Sequence, residues 1–133
     1  MTTIGTPQPN AINNFGEVVG VVSTEVTPLS HLVSAYRWTA ATGMTNLGNL
    51  GSNKDTEAYD VSDNHQIVGT SSISGKQGTI QHGFVWQNGK MTDLNNVLSA
   101  RINGYIYEAN GINSAGQIVG NLSTGHACLL TPH

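Results

Sequence analysis

The most informative stretch of this sequence is GINSAGQIVGNLS, which occupies residues 111–123. Similar words stand at residues 11–23 (AINNFGEVVGVVS) and 60–72 (DVSDNHQIVGTSS), so one motif occurs three times. Each copy reads as a short strand, a turn and a β-branched strand, which is the pattern of a β-hairpin. Because recurrence at a regular spacing is the signature of repeat architectures, this motif predicts the organisation of the whole chain.

The turn of the hairpin needs a special backbone conformation at one position. Gly16 and Gly116 stand where a tight hairpin requires a positive φ, and His65 takes that place in the middle copy. Histidine is an uncommon but tolerated residue in the left-handed region. We therefore expect a positive φ at all three residues.

A second motif follows each copy of the first motif. It reads SAYRWTAATGMTNLG at residues 34–48, HGFVWQNGKMTDLN at 82–95 and, in truncated form, HACLLTPH at 126–133. The pair Asn88 and Gly89 is the strongest short hairpin signal in the chain. The segment Met-Thr-x-Leu that follows this turn reads as a return strand, and the third copy stops before it.

The missing return strand has a counterpart at the other end of the chain. Residues 1–5 read MTTIG and match the return strands of the first two copies. The sequence therefore predicts a single repeat domain over residues 1–133. Its repeats lie at about 9–48, 58–95 and 109–133, and residues 1–5 are the return strand that closes the ring.

The repeat length predicts an all-β fold. Four antiparallel strands in roughly 40 to 50 residues are typical of a propeller blade, and closed propellers have about four to eight blades. Three blades are too few, so we expect half of a dimeric six-bladed β-propeller. Residues 1–5 of one chain would then complete the third blade of the other, by N-terminal strand exchange in a homodimer. The alternative is a monomeric β-trefoil, which also has three four-stranded repeats.

The two words together resemble the HAF-type extracellular repeats of bacteria. The His-Ala-Phe triplet that names this family reads HGF at residues 82–84, HAC at 126–128 and SAY at 34–36. The resemblance covers almost the whole chain, and both words recur in register. It implies a propeller rather than a trefoil, because members are typically longer arrays, and it implies a secreted or cell-surface location. It carries over no activity, cofactor or catalytic residue, and this chain departs from it in having three units.

Composition excludes several classes of function. Only 13 of the 133 residues are charged and the net charge is −3, which argues against a coiled coil, a nucleic-acid-binding surface and an anionic-membrane surface. No apolar run approaches the ~20 residues of a membrane-spanning helix. No signal peptide is recognisable in this chain. Cys128 is alone and has apolar neighbours, so we expect a buried thiol.

Histidines and tryptophans favour structural roles. His82 and His126 occupy equivalent repeat positions, so we expect a repeated hydrogen bond within each sheet and neither a metal site nor a cofactor. Trp38 and Trp86 also correspond, and we expect them to pack between neighbouring sheets.

Local motifs do not indicate an enzyme. The eight Asp and Glu residues are scattered, and no nucleophile elbow or phosphate-binding loop is present. Glu17 aligns with Gln66 and Gln117, so we expect it to face solvent. A hydrolase or lyase with a site in the central channel of a propeller remains the alternative, because a repeat scaffold can acquire a site that no local motif reveals.

We expect a non-catalytic binding or interaction module. A small polar ligand or glycan would bind where the repeats differ, in the variable loops at residues 24–32, 48–57, 72–81 and 95–108. The last of these is the richest in functional groups. Its candidate ligand-binding residues, which offer charge, amide and aromatic groups, are Arg101, Asn103, Tyr105 and Tyr107.

Overall fold

A computed structural model describes residues 7–27, 30–51, 55–75, 78–99 and 101–132, and it confirms the all-β prediction. The regular structure of these residues is eleven β-strands and one short 3-10 turn, η1 (Leu94–Asn96). The strands are β1 (Gln8–Ile12), β2 (Val18–Thr27), β3 (Ser30–Thr39), β4 (Gly43–Asn46), β5 (Thr56–Val61), β6 (Ile67–Gly75), β7 (Gly78–Gln87), β8 (Lys90–Asp93), β9 (Ile106–Ile112), β10 (Ile118–Leu122) and β11 (Ala127–Leu130).

Each repeat forms its own antiparallel sheet. Sheet 1 has the order β1-β2-β3-β4, sheet 2 has β5-β6-β7-β8, and sheet 3 has β9-β10-β11. Within each sheet, strands that are consecutive in sequence are therefore hydrogen-bonded neighbours, as in a meander. Among the described residues, sheet 3 lacks the fourth strand that its two counterparts possess, and none of the sheets closes on itself. Residues 1–5, which are expected to supply a return strand, lie outside the described residues.

The turn predictions are confirmed. The φ angles of Gly16, His65 and Gly116 are 76°, 65° and 82°, and each backbone N–H at these positions closes the turn on a carbonyl three residues earlier. The two-residue turn between β7 and β8 has positive φ at both Asn88 (54°) and Gly89 (83°). Both central residues of a type I′ hairpin turn have this conformation.

The prediction of variable loops at residues 24–32 and 72–81 is wrong, because strand pairing continues into both segments. Hairpin β2–β3 continues its pairing through Thr24 and Leu32, and hairpin β6–β7 continues through Ser72 and Gln81. Backbone groups in these segments pair with each other, so the hairpins extend well beyond the edges of the shorter strands. The sequence shows only that these segments differ between repeats, and a difference in side chains does not by itself end a strand.

A β-bulge recurs at the same place in the first strand of every sheet. The extra residue, which has no partner on the second strand, is Tyr59 in sheet 2, and the opposite backbone comes very close to Gly69. A Cβ atom on Gly69 would overlap the carbonyl oxygen of Glu57. The equivalent bulge residues are Asn10 and Asn110, and the equivalent glycines are Gly20 and Gly120. The glycine of the repeat is therefore required by close backbone approach.

Consecutive sheets pack face to face, and most of the core lies in two layers between them. The layer between sheets 1 and 2 contains Val19, Ala35, Leu47, Ala58, Val61, Ile67 and Phe84, with Trp86 and Met91 packed against it. The layer between sheets 2 and 3 contains Val68, Leu94, Ile106, Ala109 and Ile118, with Cys128 and Leu130 packed against it. Trp86 thus has the expected position between neighbouring sheets.

Candidate functional site

A charged cluster lies between sheets 1 and 2, centred on Glu17. This carboxylate is only 3% exposed, which corrects the expectation that it faces solvent. It accepts hydrogen bonds from Arg37 Nε at 2.7 Å and Asn13 Nδ2 at 2.6 Å, and it contacts His65 Nδ1 on sheet 2. Burial alone would raise the pKa of Glu17. The hydrogen bonds outweigh burial and hold this pKa below its ordinary value.

The same cluster joins the two sheets through ring contacts. The guanidinium carbon of Arg37 lies 5.9 Å from the ring centre of Trp86, which is a cation–π distance. The ring of Phe15 lies 5.1 Å from the ring of His65. Arg37 and Phe15 belong to repeat 1, whereas Trp86 and His65 belong to repeat 2. The cluster therefore holds the sheets together, and its side chains are already occupied by one another.

The sequence indicates this cluster only through three residues that differ from their equivalents in the other repeats. Glu17 stands where the other copies have glutamine, Arg37 stands where they have valine and leucine, and His65 stands where they have glycine. Each departure taken alone reads as surface variation. The structure shows that all three meet in one seam, so their changes compensate one another.

A shallow polar pocket of about 580 Å³ lies between the outer part of sheet 2 and the start of β9. Two of the predicted ligand-binding residues, Tyr105 and Tyr107, line it together. The other two, Arg101 and Asn103, are exposed on the preceding loop and are not among its lining residues. The remaining lining residues are Ser72, Thr79, Ile80, Gln81, Ser123 and Gly125.

The two tyrosines are held in place by hydrogen bonds to their backbones. Ser123 Oγ accepts from the N–H of Tyr105 at 3.0 Å, and the Ser123 N–H donates to the Tyr105 carbonyl at 2.8 Å. The Thr70 hydroxyl donates to the Tyr107 carbonyl at 2.6 Å. The Tyr105 ring also lies 5.1 Å from the ring of His82. The pocket is therefore built on fixed elements rather than on a free loop.

The expected structural hydrogen bond of the repeat histidine is present in sheet 2. His82 Nδ1 lies 2.7 Å from a carboxylate oxygen of Asp93, on the return strand of the same sheet. His126, its equivalent in sheet 3, instead lies 3.1 Å from the hydroxyl of Thr124. Sheet 3 has no return strand among the described residues, so His126 meets no counterpart of Asp93 there.

A second polar group lies on the first strands of sheets 2 and 3. Burial and the neighbouring charge of Glu57 hold the pKa of Tyr59 well above its usual range, and Glu108 and Tyr107 raise it further. Glu57 and Glu108 belong to different repeats, so carboxylates from two sheets act on the same phenol. Asn121 Nδ2 donates to a carboxylate oxygen of Glu108 at 2.8 Å and holds that side chain. Local sequence patterns did not reveal this convergence.

An apolar groove of about 710 Å³ runs beside the β11 edge of sheet 3, which has no partner strand among the described residues. Cys128, on the edge strand β11, lies in its wall, and burial raises the pKa of this thiol. The groove also has Leu94, Leu98, Ile106, Ile118, Leu122 and Leu130 in its walls. Val97 and Ile102 line its rim and are exposed.

Two further features are absent from the described parts of the chain. No group of three or more His, Cys, Asp or Glu side chains there could hold a metal ion. Within those same residues, no helix is long and apolar enough to span a membrane. Comparison of the sequence with protein-family models, with curated proteins and with solved structures finds no match.

Proposed function

We propose that this protein is a non-catalytic binding module that holds a small polar ligand, such as a sugar, against Tyr105 and Tyr107. The observation that carries the proposal is the shallow pocket in which both rings meet hydroxyl and amide side chains. A sugar presents apolar ring faces and hydroxyl edges. Aromatic rings cover the faces, and side chains such as Gln81 and Thr79 offer donors and acceptors to the edges.

The test is binding of the purified protein to a glycan array, followed by titration of any glycan that binds. Tyr105→Ala and Tyr107→Ala are expected to weaken binding about tenfold each, because each removes one stacking surface. Phe15→Ala is the matched control, since it removes an exposed aromatic ring outside the pocket. Equal loss in all three variants, or no binding by the wild type, contradicts the proposal.

We also propose that the binding module is a homodimer arranged as a six-bladed propeller. The support is the meander order of each sheet, the face-to-face packing of consecutive sheets and the β11 edge, which pairs with no further strand in the described part of the chain. Residues 1–5 have the sequence of the return strand that sheet 3 lacks, and an exposed strand edge pairs readily with such a segment. One sheet per repeat favours the propeller over the trefoil.

Light scattering after size-exclusion chromatography tests the dimer. A chain of 14.0 kDa should elute with twice that mass, and deletion of residues 1–5 should return it to 14.0 kDa. A wild-type monomer would remove the support for strand exchange, whereas the ligand proposal would stand on its own binding data.

The alternative function is a hydrolase or lyase with its site on the first strands, which line the central channel of a propeller. The observation that favours it is the convergence of Glu57 and Glu108 on Tyr59. Glycoside hydrolysis uses two carboxylates, roughly 5 to 10 Å apart.

Chromogenic glycosides distinguish the two functions. Turnover that is lost in both Glu57→Gln and Glu108→Gln but kept in Asp63→Asn, a partly exposed turn carboxylate, supports the enzyme. Binding without turnover supports the module.

A further inference from the structure

We infer that a second copy of the chain docks its sheet 1 onto the outer face of sheet 3, repeating the contact that joins consecutive sheets within one chain. The inference rests on the homodimer proposed above and names the faces that meet. It differs from strand exchange because it involves side chains of two sheet faces rather than backbone groups at the β11 edge.

Each sheet has two rows of cross-strand neighbours, one on each face, and the front rows are apolar. Residues that are paired directly across neighbouring strands point to the same face of a sheet. We define the front row as the residues that face the preceding sheet and the back row as those that face the following one. The front row is Ile12, Val18, Trp38 and Met44 in sheet 1, Val61, Ile67, Trp86 and Met91 in sheet 2, and Ile112, Ile118 and Leu130 in sheet 3. The back row is Ala11, Val19 and Arg37 in sheet 1, Asp60, Val68 and Val85 in sheet 2, and Gly111, Val119 and Leu129 in sheet 3.

Inside the chain the back row of one sheet meets the front row of the next. Val19 of sheet 1 shares a buried layer with Val61 and Ile67 of sheet 2. The same arrangement recurs one repeat later, where Val68 of sheet 2 shares a layer with Ile118 of sheet 3. The contact is therefore a property of the repeat and is used twice.

No described part of the chain covers the back row of sheet 3. Val119 is 49% exposed, although its equivalents Val19 and Val68 are completely buried. Leu129 is 61% exposed, although its equivalent Val85 packs against the second layer. These two side chains are adjacent across β10 and β11, so they form one apolar patch.

The front row of sheet 1 is exposed only at its edges, because Val18 at its centre is 7% exposed and Tyr36 on the same face is 1% exposed. Ile12 is 67% and Met44 is 41% exposed. Their equivalents in sheet 2 are Val61, which is buried, and Met91, which packs against the first layer. The two ends of the stack of sheets therefore expose parts of one contact, Val119 and Leu129 at one end and Ile12 and Met44 at the other, and a second copy brings these parts together.

The chemistry of this open seam differs from that of the seam between sheets 1 and 2. Sheet 3 carries Gln117 and Leu129 where sheet 1 carries Glu17 and Arg37, and sheet 1 carries Gly16 where sheet 2 carries His65. At these positions the seam between copies therefore carries no charged side chain. We expect the dimer to persist at high salt, because salt screens ionic contacts and not hydrophobic ones.

The front and back faces are different surfaces, so the association is head-to-tail. A head-to-tail contact closes into a ring when its rotation allows and otherwise extends into a filament. A mass that rises above two copies as the protein concentration increases would support the docking contact. It would also show that the ring does not close with two chains.

Charged substitutions at the exposed rows test the seam by measurement of mass. Leu129→Asp and Met44→Asp should each shift the mass from twice 14.0 kDa to 14.0 kDa. Ser74→Asp, an exposed position on β6 away from both rows, should leave the mass unchanged. Because all three positions are exposed, circular dichroism should show a folded chain in every variant.

Cross-linking tests the head-to-tail geometry. The Asn14 N–H donates to Asp63 Oδ1 at 2.8 Å across the seam between sheets 1 and 2, and Ser114 is the equivalent of Asp63 in sheet 3. In a Cys128→Ser background, a short bismaleimide should therefore join a Ser114→Cys chain to an Asn14→Cys chain. Efficient cross-linking in a sample of Ser114→Cys alone would instead indicate identical faces in contact and would overturn the inference.

Failure of the seam can be distinguished from failure of the dimer. If deletion of residues 1–5 gives a monomer while Leu129→Asp and Met44→Asp remain dimeric, strand exchange stands and the docked faces are wrong. If the wild type itself is a monomer at all concentrations tested, both the dimer and the seam are wrong, and glycan binding is unaffected.

Discussion

Val68 and Val119 hold the same position in successive repeats, yet Val68 is completely buried whereas Val119 is half exposed. The difference comes from the neighbouring sheet and not from the residue, because sheet 3 covers Val68 whereas no described part of the chain covers Val119. One repeat sequence thus makes a core position or a surface position according to its place in the stack of sheets.

The close backbone approach at Gly69 predicts a large cost for a single methyl group. We expect Gly69→Ala to lower the free energy of unfolding by about 3 kcal/mol, since the new Cβ would overlap the Glu57 carbonyl and force the bulge to move. Urea denaturation measures this, with Ser74→Ala on the exposed part of the same strand as the control. A loss no greater than that of the control would show that the bulge adjusts freely.

Tyr36 and Phe84 occupy equivalent positions of the repeat. Removing the hydroxyl at one and adding it at the other should therefore change the free energy of unfolding in opposite directions. Tyr36 is 1% exposed, and its hydroxyl has no hydrogen-bond partner among the described residues. Tyr36→Phe should therefore raise the free energy of unfolding by about 1 kcal/mol, because it removes a buried and unpaired polar group. Phe84→Tyr should lower it by about 1–3 kcal/mol, since it buries one. A destabilised Tyr36→Phe variant would reveal that the hydroxyl is bonded.

Removing the buried carboxylate of Glu17 should destabilise the fold, whereas removing the equivalent side chain of Gln117 should not. Glu17→Ala leaves Arg37 and His65 without their shared partner, and we expect it to cost about 3 kcal/mol. Gln117→Ala removes the equivalent side chain of sheet 3, which has no such partners described, and should cost less than about 0.5 kcal/mol. Thermal or urea unfolding of both variants measures the difference, and equal losses would contradict the role of the cluster.

The lowered pKa of Glu17 predicts how stability depends on pH. Its stabilising effect is complete above the pKa of an unfolded glutamate, about 4.5, and is lost as the pH falls through the lower folded pKa. The free energy of unfolding should therefore fall more steeply below about pH 4.5 in the wild type than in Glu17→Gln. Asp63 also has a lowered pKa, because it accepts hydrogen bonds from Asn14, but it titrates in both proteins and cancels in the comparison. Parallel curves would show that Glu17 does not contribute.

The sequence was sufficient for the parts of the fold that depend on local chemistry. The left-handed turn at Gly16, His65 and Gly116 follows from the residues themselves, and so does the Asn88-Gly89 hairpin. These predictions hold because turn geometry depends on a few adjacent residues.

The candidate site was predictable only in part. Tyr105 and Tyr107 were chosen from one loop and do line one pocket, whereas Arg101 and Asn103 from the same loop do not line it. The other walls come from sheet 2, including Gln81, which no local pattern connects with the tyrosines.

The repeat by itself determined that the chain folds as three units of one strand pattern. Only the tertiary structure decided which face of each sheet is covered, why the repeat needs its glycine and where Glu17 finds Arg37 and His65. The physical reason is the separation in sequence between the residues that make each contact. Strand pairing and turns are set by neighbours in sequence, whereas the bond from Asn13 to Ser62 and the contact of Glu17 with His65 join residues 49 and 48 positions apart. Such contacts depend on how whole sheets stack, and side-chain burial follows from that stacking rather than from the residue type.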